Sequence, residues 1–150
     1  MKIINSSVVL SIFLLAANLA CAQIDNPVKW SYGVKKIGSY HAIVYFKADM
    51  QRGWHIYSTK QPPGGPLKTS INLEPGNYKL SGTLHEPPPL VKYVDILEMD
   101  TFYFEGSVVF SQAIQCYGAH SVVRGKISYM VCNDSKCLSA QEIQYSIPVY

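Results

Sequence analysis

Long runs of helix formers are missing from this chain, and so are basic runs, glycine-rich phosphate loops and paired catalytic carboxylates. Each absence closes off a class of function. With Lys2 set aside, 12 basic residues stand against 10 acidic ones, scattered, so nothing suggests a nucleic-acid partner. Beyond the leader no stretch approaches the roughly 20 apolar residues of a membrane span. No Ser-His-Asp order stands out, which leaves hydrolytic catalysis without a candidate. Cysteine is scarce, with four in 150 residues, and its placement turns out to be informative.

What is present begins with an export signal. Lys2 supplies a short positive region, Val8 to Leu15 an apolar core broken only by Ser11, and Ala20-Cys21-Ala22 a small-x-small cleavage site. The expected division is a secretory signal over 1–22 and one domain over 23–150, starting at Gln23. A lipoprotein reading would acylate Cys21, but Asn18 stands where a leucine is usual. The product is expected to be soluble or, at most, lipid-tethered, and periplasmic.

Eleven tyrosines, nine prolines and many Val and Ile lean the domain toward strand. Val28 to Ile37 puts Val28, Trp30, Tyr32 and Val34 on one face. Gly38-Ser39 turns the chain into Tyr40 to Ala48, where Ala42, Val44 and Phe46 alternate, and the two read as a hairpin. Trp54 to Ser58 is a short aromatic strand. Lys60 to Pro66 is a loop, because its prolines and glycines suit neither helix nor central strand. Leu67 to Leu73 and Tyr78 to Leu84 are strands around the turn Glu74 to Asn77. The prolines of His85 to Pro89 predict a stiff crossing between sheets. Leu90 to Met99 lacks a clean period and reads as a structured loop. Thr101 to Tyr117, Val122 to Cys132 and Ile143 to Tyr150 complete an antiparallel β-sandwich of about eight or nine strands.

The most telling stretch is Tyr129 to Leu138, with Cys132 and Cys137 at the two ends of Asn133-Asp134-Ser135-Lys136. Asn and Asp are turn formers, since they bond their own backbone and tolerate left-handed dihedrals. The reading is a hairpin with one cysteine at each base of its loop. Residues so paired stand about 4.5–5.5 Å apart at Cα, within reach of a disulfide. A ring of about six residues yields roughly 2 kcal/mol by loop closure, the low end of the range. A short, accessible bridge is also easily reduced. Spacing alone leaves both an inert staple and a working redox pair open.

Export to an oxidising compartment turns thiols into disulfides, so an odd third cysteine needs explaining. Phe110, Gln112, Ile114 and Cys116 share one strand face, which makes Cys116 a buried small hydrophobe. A resolving thiol is the alternative. Zinc would need four convergent ligands, and an inward mid-strand Cys116 does not supply the third sulfur. His41, His85 and His120 show no spacing of interest. No metal and no organic cofactor is expected.

Taken together, Pro27 to Trp30, Gly53-Trp54-His55-Ile56-Tyr57-Ser58, Gly64-Gly65-Pro66 and Tyr129 to Asn133 with Cys137-Leu138 resemble the disulfide bond corrector domain. That is the periplasmic N-terminal domain of DsbD-type thiol–disulfide interchange proteins, and the resemblance runs over essentially the whole mature chain. It implies an immunoglobulin-like sandwich whose cysteine pair takes electrons from a membrane-embedded donor and passes them to thioredoxin-fold proteins. It implies Cys132 and Cys137 as the active pair, with Cys137 forming the mixed disulfide. A family cap loop matches Asp95-Ile96-Leu97, without the usual aromatic. Leu138 is followed by Ser139-Ala140 where the family often has two prolines. The appended membrane and thioredoxin domains of the large family members are missing here, so the donor is expected to be a separate protein and the domain a monomer.

A hairpin offers no helix N-terminus to acidify a thiol. Lys136 is the local cation favouring a Cys137 thiolate, whereas Asp134, and Asp95 if the cap covers the pair, oppose it. His55 and Tyr57 project from one strand face, and the resemblance puts Tyr57 near the cysteines. Solvated turn residues and a structural aromatic are the plain alternatives. The competing function is a non-catalytic exported sandwich that binds a partner or glycan and carries an inert hairpin disulfide.

Overall fold

The computed structural model describes residues 26–118 and 120–150; the expected signal over 1–22, with Cys21, lies outside them. The first strands are β1 (Val28–Lys36), β2 (His41–Met50), β3 (His55–Tyr57), β4 (Ser70–Leu73) and β5 (Tyr78–His85). Next come β6 (Leu90–Val94), β7 (Met99–Glu105), β8 (Ser107–Cys116), β9 (Ser121–Tyr129), β10 (Val131–Cys132) and β11 (Gln141–Val149). All pairings are antiparallel.

The first sheet has the order β1-β2-β8-β5. Its centre follows from strict alternation: Ala42, Val44, Phe46 and Ala48 of β2 are buried, as are Val108, Phe110, Ile114 and Cys116 of β8. Gln112 shares that buried face because its amide nitrogen donates to the carbonyls of Ala113, Gly82 and Ser81, at a bulge in β5 where Gly82 takes a positive φ. The other sheets are β10-β3-β7-β6 and β11-β9-β4. They meet where Thr69 donates to the Tyr57 carbonyl and where β9 runs on into β10.

One core unites them. Phe104 of β7 meets Phe110 edge-on at 5.7 Å, and Phe46 meets Tyr145 of β11 at 4.8 Å. Val123, Ile127 and Tyr129 of β9 complete the opposing wall. The result is an all-β, immunoglobulin-like antiparallel sandwich.

Three readings of the chain change. Leu90 to Met99 is not a loop: β6 pairs with β7, Leu90 opposite Tyr103 and Val94 opposite Met99, around a single 3-10 turn at Asp95–Leu97. It showed no alternation because β6 is an edge strand with Leu90, Val91 and Tyr93 exposed. Thr101 to Tyr117 is two strands in different sheets, broken at Gly106, whose φ of 68° suits glycine. Val122 to Cys132 likewise divides at Met130, where the chain leaves β11 and joins β3. The proline segment 87–89 does cross from one sheet to another, between β5 and β6.

Candidate functional site

The loop between β10 and Leu138 is built by Asn133. Its side-chain Oδ1 accepts from the amides of Ser135 at 2.9 Å and Lys136 at 2.8 Å, the local turn that the sequence leads one to expect. The Asn133 amide donates to the Lys136 carbonyl and the Leu138 amide to the Val131 carbonyl, both at 2.9 Å. Cys132 and Cys137 therefore face each other as a non-hydrogen-bonded antiparallel pair, the closer of the two kinds. Their Cα atoms lie 4.0 Å apart and their sulfurs form a disulfide. Cys116, the remaining described cysteine, is free and buried.

The two sulfurs are not equivalent. Cys132 is 1 % exposed, on the strand beside β3, whereas Cys137 is at the surface. The difference accords with topology: Cys132 lies on β10, paired with β3 opposite His55, while Cys137 follows the turn and pairs back onto Cys132.

Beside the disulfide a cleft of about 190 Å³ opens on the face of the β10-β3-β7-β6 sheet. Cys132, Cys137, His55, Tyr57, Tyr103 and Glu105 are among its walls. The rings of His55 and Tyr57 meet edge-on, with Nε2 3.2 Å from the tyrosine hydroxyl, and Tyr103 lies 5.2 Å from the imidazole. Burial holds His55 below the usual histidine range, against the opposing pull of Glu105 and Asp134 and with a further push from Lys92. Burial raises the Tyr57 hydroxyl.

Lys136 is beside Cys137, as its place in the sequence requires, with its ammonium 5.7 Å from the centre of the Trp54 ring. That contact holds the loop's cation on a buried aromatic. Asp95 and Leu97 lie in the turn closing the β6–β7 hairpin. The cleft is lined from that hairpin by Lys92, Val94 and Thr101 rather than by Asp95 or Leu97.

Sequence reasoning passed over Tyr103 and Glu105, and quoted Trp54 only within a motif, without a role at the site. A period-2 run from Thr101 through Tyr103 to Glu105 marks one strand face, but which strand faces the cysteines is set by long-range register. Among the described residues no group of three His, Cys, Asp or Glu side chains is arranged to hold a metal. No helix among them is long and apolar enough to cross a membrane.

A family model described as thiol:disulfide interchange protein DsbD, N-terminal, matches residues 32–147. Among solved structures, the N-terminal periplasmic domain of ScsB from Proteus mirabilis superposes with a TM-score of 0.59 at 17 % identity. That alignment covers 83 % of this chain and 47 % of the other, so the chain spans about half of its length. At such identity the likeness concerns the fold alone. The DsbD N-terminal domain of Neisseria meningitidis in its reduced form gives 0.48 at 11 % identity, over 77 % of this chain and 82 % of that one. A complex of DsbD and PilB N-terminal domains from the same organism gives 0.45 at 10 %, over 78 % and 80 %. No curated protein sequence matches the chain.

Proposed function

From the premise that this chain belongs to the DsbD N-terminal family of thiol:disulfide interchange proteins, we propose that it relays electrons through Cys132 and Cys137. The observation that carries this reading is the asymmetry of the pair: of the two cysteines lining the cleft, Cys137 is exposed and Cys132 is buried. An attacking thiol must be reachable, and a resolving thiol needs only to reach its neighbour.

In the reduced protein the Cys137 thiolate attacks a client disulfide. A Cys137–client bond forms, and the client's other sulfur departs as a thiol. Cys132 then attacks the Cys137 sulfur, closing the pair and releasing the second client thiol. Two electrons and two protons pass to the client. Lys136 favours the Cys137 thiolate, while Trp54 limits its wandering. The β6–β7 hairpin, with Asp95 and Leu97 at its tip, acts as the cap over the cleft. Tyr57 fixes the His55 ring at its floor. Clients are thioredoxin-fold proteins, and the donor that re-reduces the pair is a membrane-embedded protein. The domain works as a monomer in the periplasm after removal of residues 1–22, without metal or organic cofactor.

The reduction potential of the pair tests this reading. A working relay is expected above about −300 mV, and a value well below that marks a structural bond. The latter outcome would favour the other reading, an exported binding sandwich with an inert staple.

A further inference from the structure

Cys132, His55 and Glu105 occupy one row across three neighbouring strands. Cys132 is the antiparallel partner of His55, and His55 is in turn the partner of Glu105. All three line the same cleft. Directly opposed residues in antiparallel strands carry their Cβ atoms about 4.5–5.5 Å apart, close enough for side chains to touch. The row is therefore thiol, imidazole, carboxylate, in the order that activates a nucleophilic sulfur elsewhere in protein chemistry.

The buried sulfur has a need that the exposed one lacks. Cys137 exchanges its proton with solvent. Cys132, at 1 % exposure, has little contact with solvent, and burial disfavours its thiolate. We propose that His55 is the proton acceptor for Cys132 in the resolving step, with Glu105 as the neighbouring carboxylate whose charge favours the imidazolium. The proposal rests on the redox reading above. In the mixed disulfide, His55 takes the Cys132 proton as that sulfur bonds to Cys137. The bond from Cys137 to the client breaks, and the imidazolium returns its proton to the departing client sulfur. No proton or electron is left over, and no further reactant is needed.

The groups facing the ring fit this role. Tyr57 contacts Nε2 from the same strand, Tyr103 and Glu105 come from β7, Lys92 from β6, and Asp134 from the loop. Lys136 is occupied on Trp54. Burial favours the neutral imidazole, which is the form that accepts a proton, and the two carboxylates favour the imidazolium once formed.

The test uses Ellman's disulfide as client, with the reduced protein in a Cys116→Ser background. The first chromophore leaves as Cys137 is modified, at a rate set by reagent concentration. The second leaves as Cys132 resolves, at a rate independent of it. In the parent the second phase should vary little from about pH 7 to 8, because burial already favours the neutral imidazole that accepts the proton. In His55→Gln it should fall about 100-fold relative to the first phase, and should climb with pH as the free thiol ionises. Glu105→Gln should give a smaller loss with the level profile retained. Imidazole added to His55→Ala should restore the second phase, a result that a folding defect would not produce. A second phase in His55→Gln and His55→Asn with the parent's rate and profile would overturn the proposal. Absence of any second phase in the parent would overturn the relay reading, and the role of His55 with it.

Discussion

Cys132 and Cys137 face each other across a non-hydrogen-bonded strand pair with Cα atoms 4.0 Å apart, yet one is buried and the other lies at the surface. A symmetric hairpin would expose both. The asymmetry arises because the chain changes sheets at Met130, laying β10 against β3 before the turn.

Limited alkylation of the reduced protein should therefore modify Cys137 at least about tenfold faster than Cys132, with Cys116 no faster than Cys132, since access governs thiol reactivity. Peptide mass spectrometry over a time course gives the three rates. Equal rates for Cys132 and Cys137 would mean that the burial difference does not persist in solution.

The proposed cap has its own consequence. Leu97→Gly at the tip and Val94→Gly in the cleft wall should each speed alkylation of the reduced pair, by about threefold or more, by opening access to it. Unchanged labelling of Cys132 and Cys137 in both variants would remove the cap assignment.

Burial of His55 carries a stability cost on the acid side. Its folded pKa lies below the unfolded value of 6.5, so the unfolded chain binds the proton more readily. Stability should fall as pH drops below about 6.5, and the loss should level off once pH passes the folded value. His55→Gln should lack that portion of the slope. Urea midpoints between pH 7.5 and 5 report it, and identical slopes in parent and variant would contradict the assignment.

Glu86 holds the segment that follows β3. Its buried carboxylate accepts from the Ser58 hydroxyl at 2.6 Å, the Thr59 amide at 3.0 Å and the Thr59 hydroxyl at 2.9 Å. Removing it leaves those donors unsatisfied, so Glu86→Ala should cost about 3 kcal/mol of unfolding free energy. Denaturant melts measure this, and a loss under about 1 kcal/mol would show that water replaces the carboxylate without penalty.

The parts of the fold that sequence made legible are those where local pattern and tertiary burial coincide. Ala42, Val44 and Phe46 alternate because β2 is central, and Asn133 marks its turn because the bonds that form it are local. The cleft was harder to foresee. Alternation continues unbroken through Gly106 and Met130, so the two changes of sheet leave no signal in the period. Leu90, Val91 and Tyr93 are apolar yet exposed on an edge, where burial imposes no pattern. Glu105 stands opposite His55 only through a register set 50 residues away along the chain, and no local rule carries that.

The central claim is that Cys137 attacks and Cys132 resolves, and trapping tests it most directly. Each single mutant is incubated with an oxidised thioredoxin-like protein and run on a non-reducing gel. Cys132→Ser should accumulate a mixed disulfide, because the thiol that would release the client is gone. Cys137→Ser should trap little, and Cys116→Ser should behave as the parent apart from a packing cost. Equal trapping by Cys132→Ser and Cys137→Ser would contradict the assigned roles, and no trapping by either would make the disulfide a structural staple.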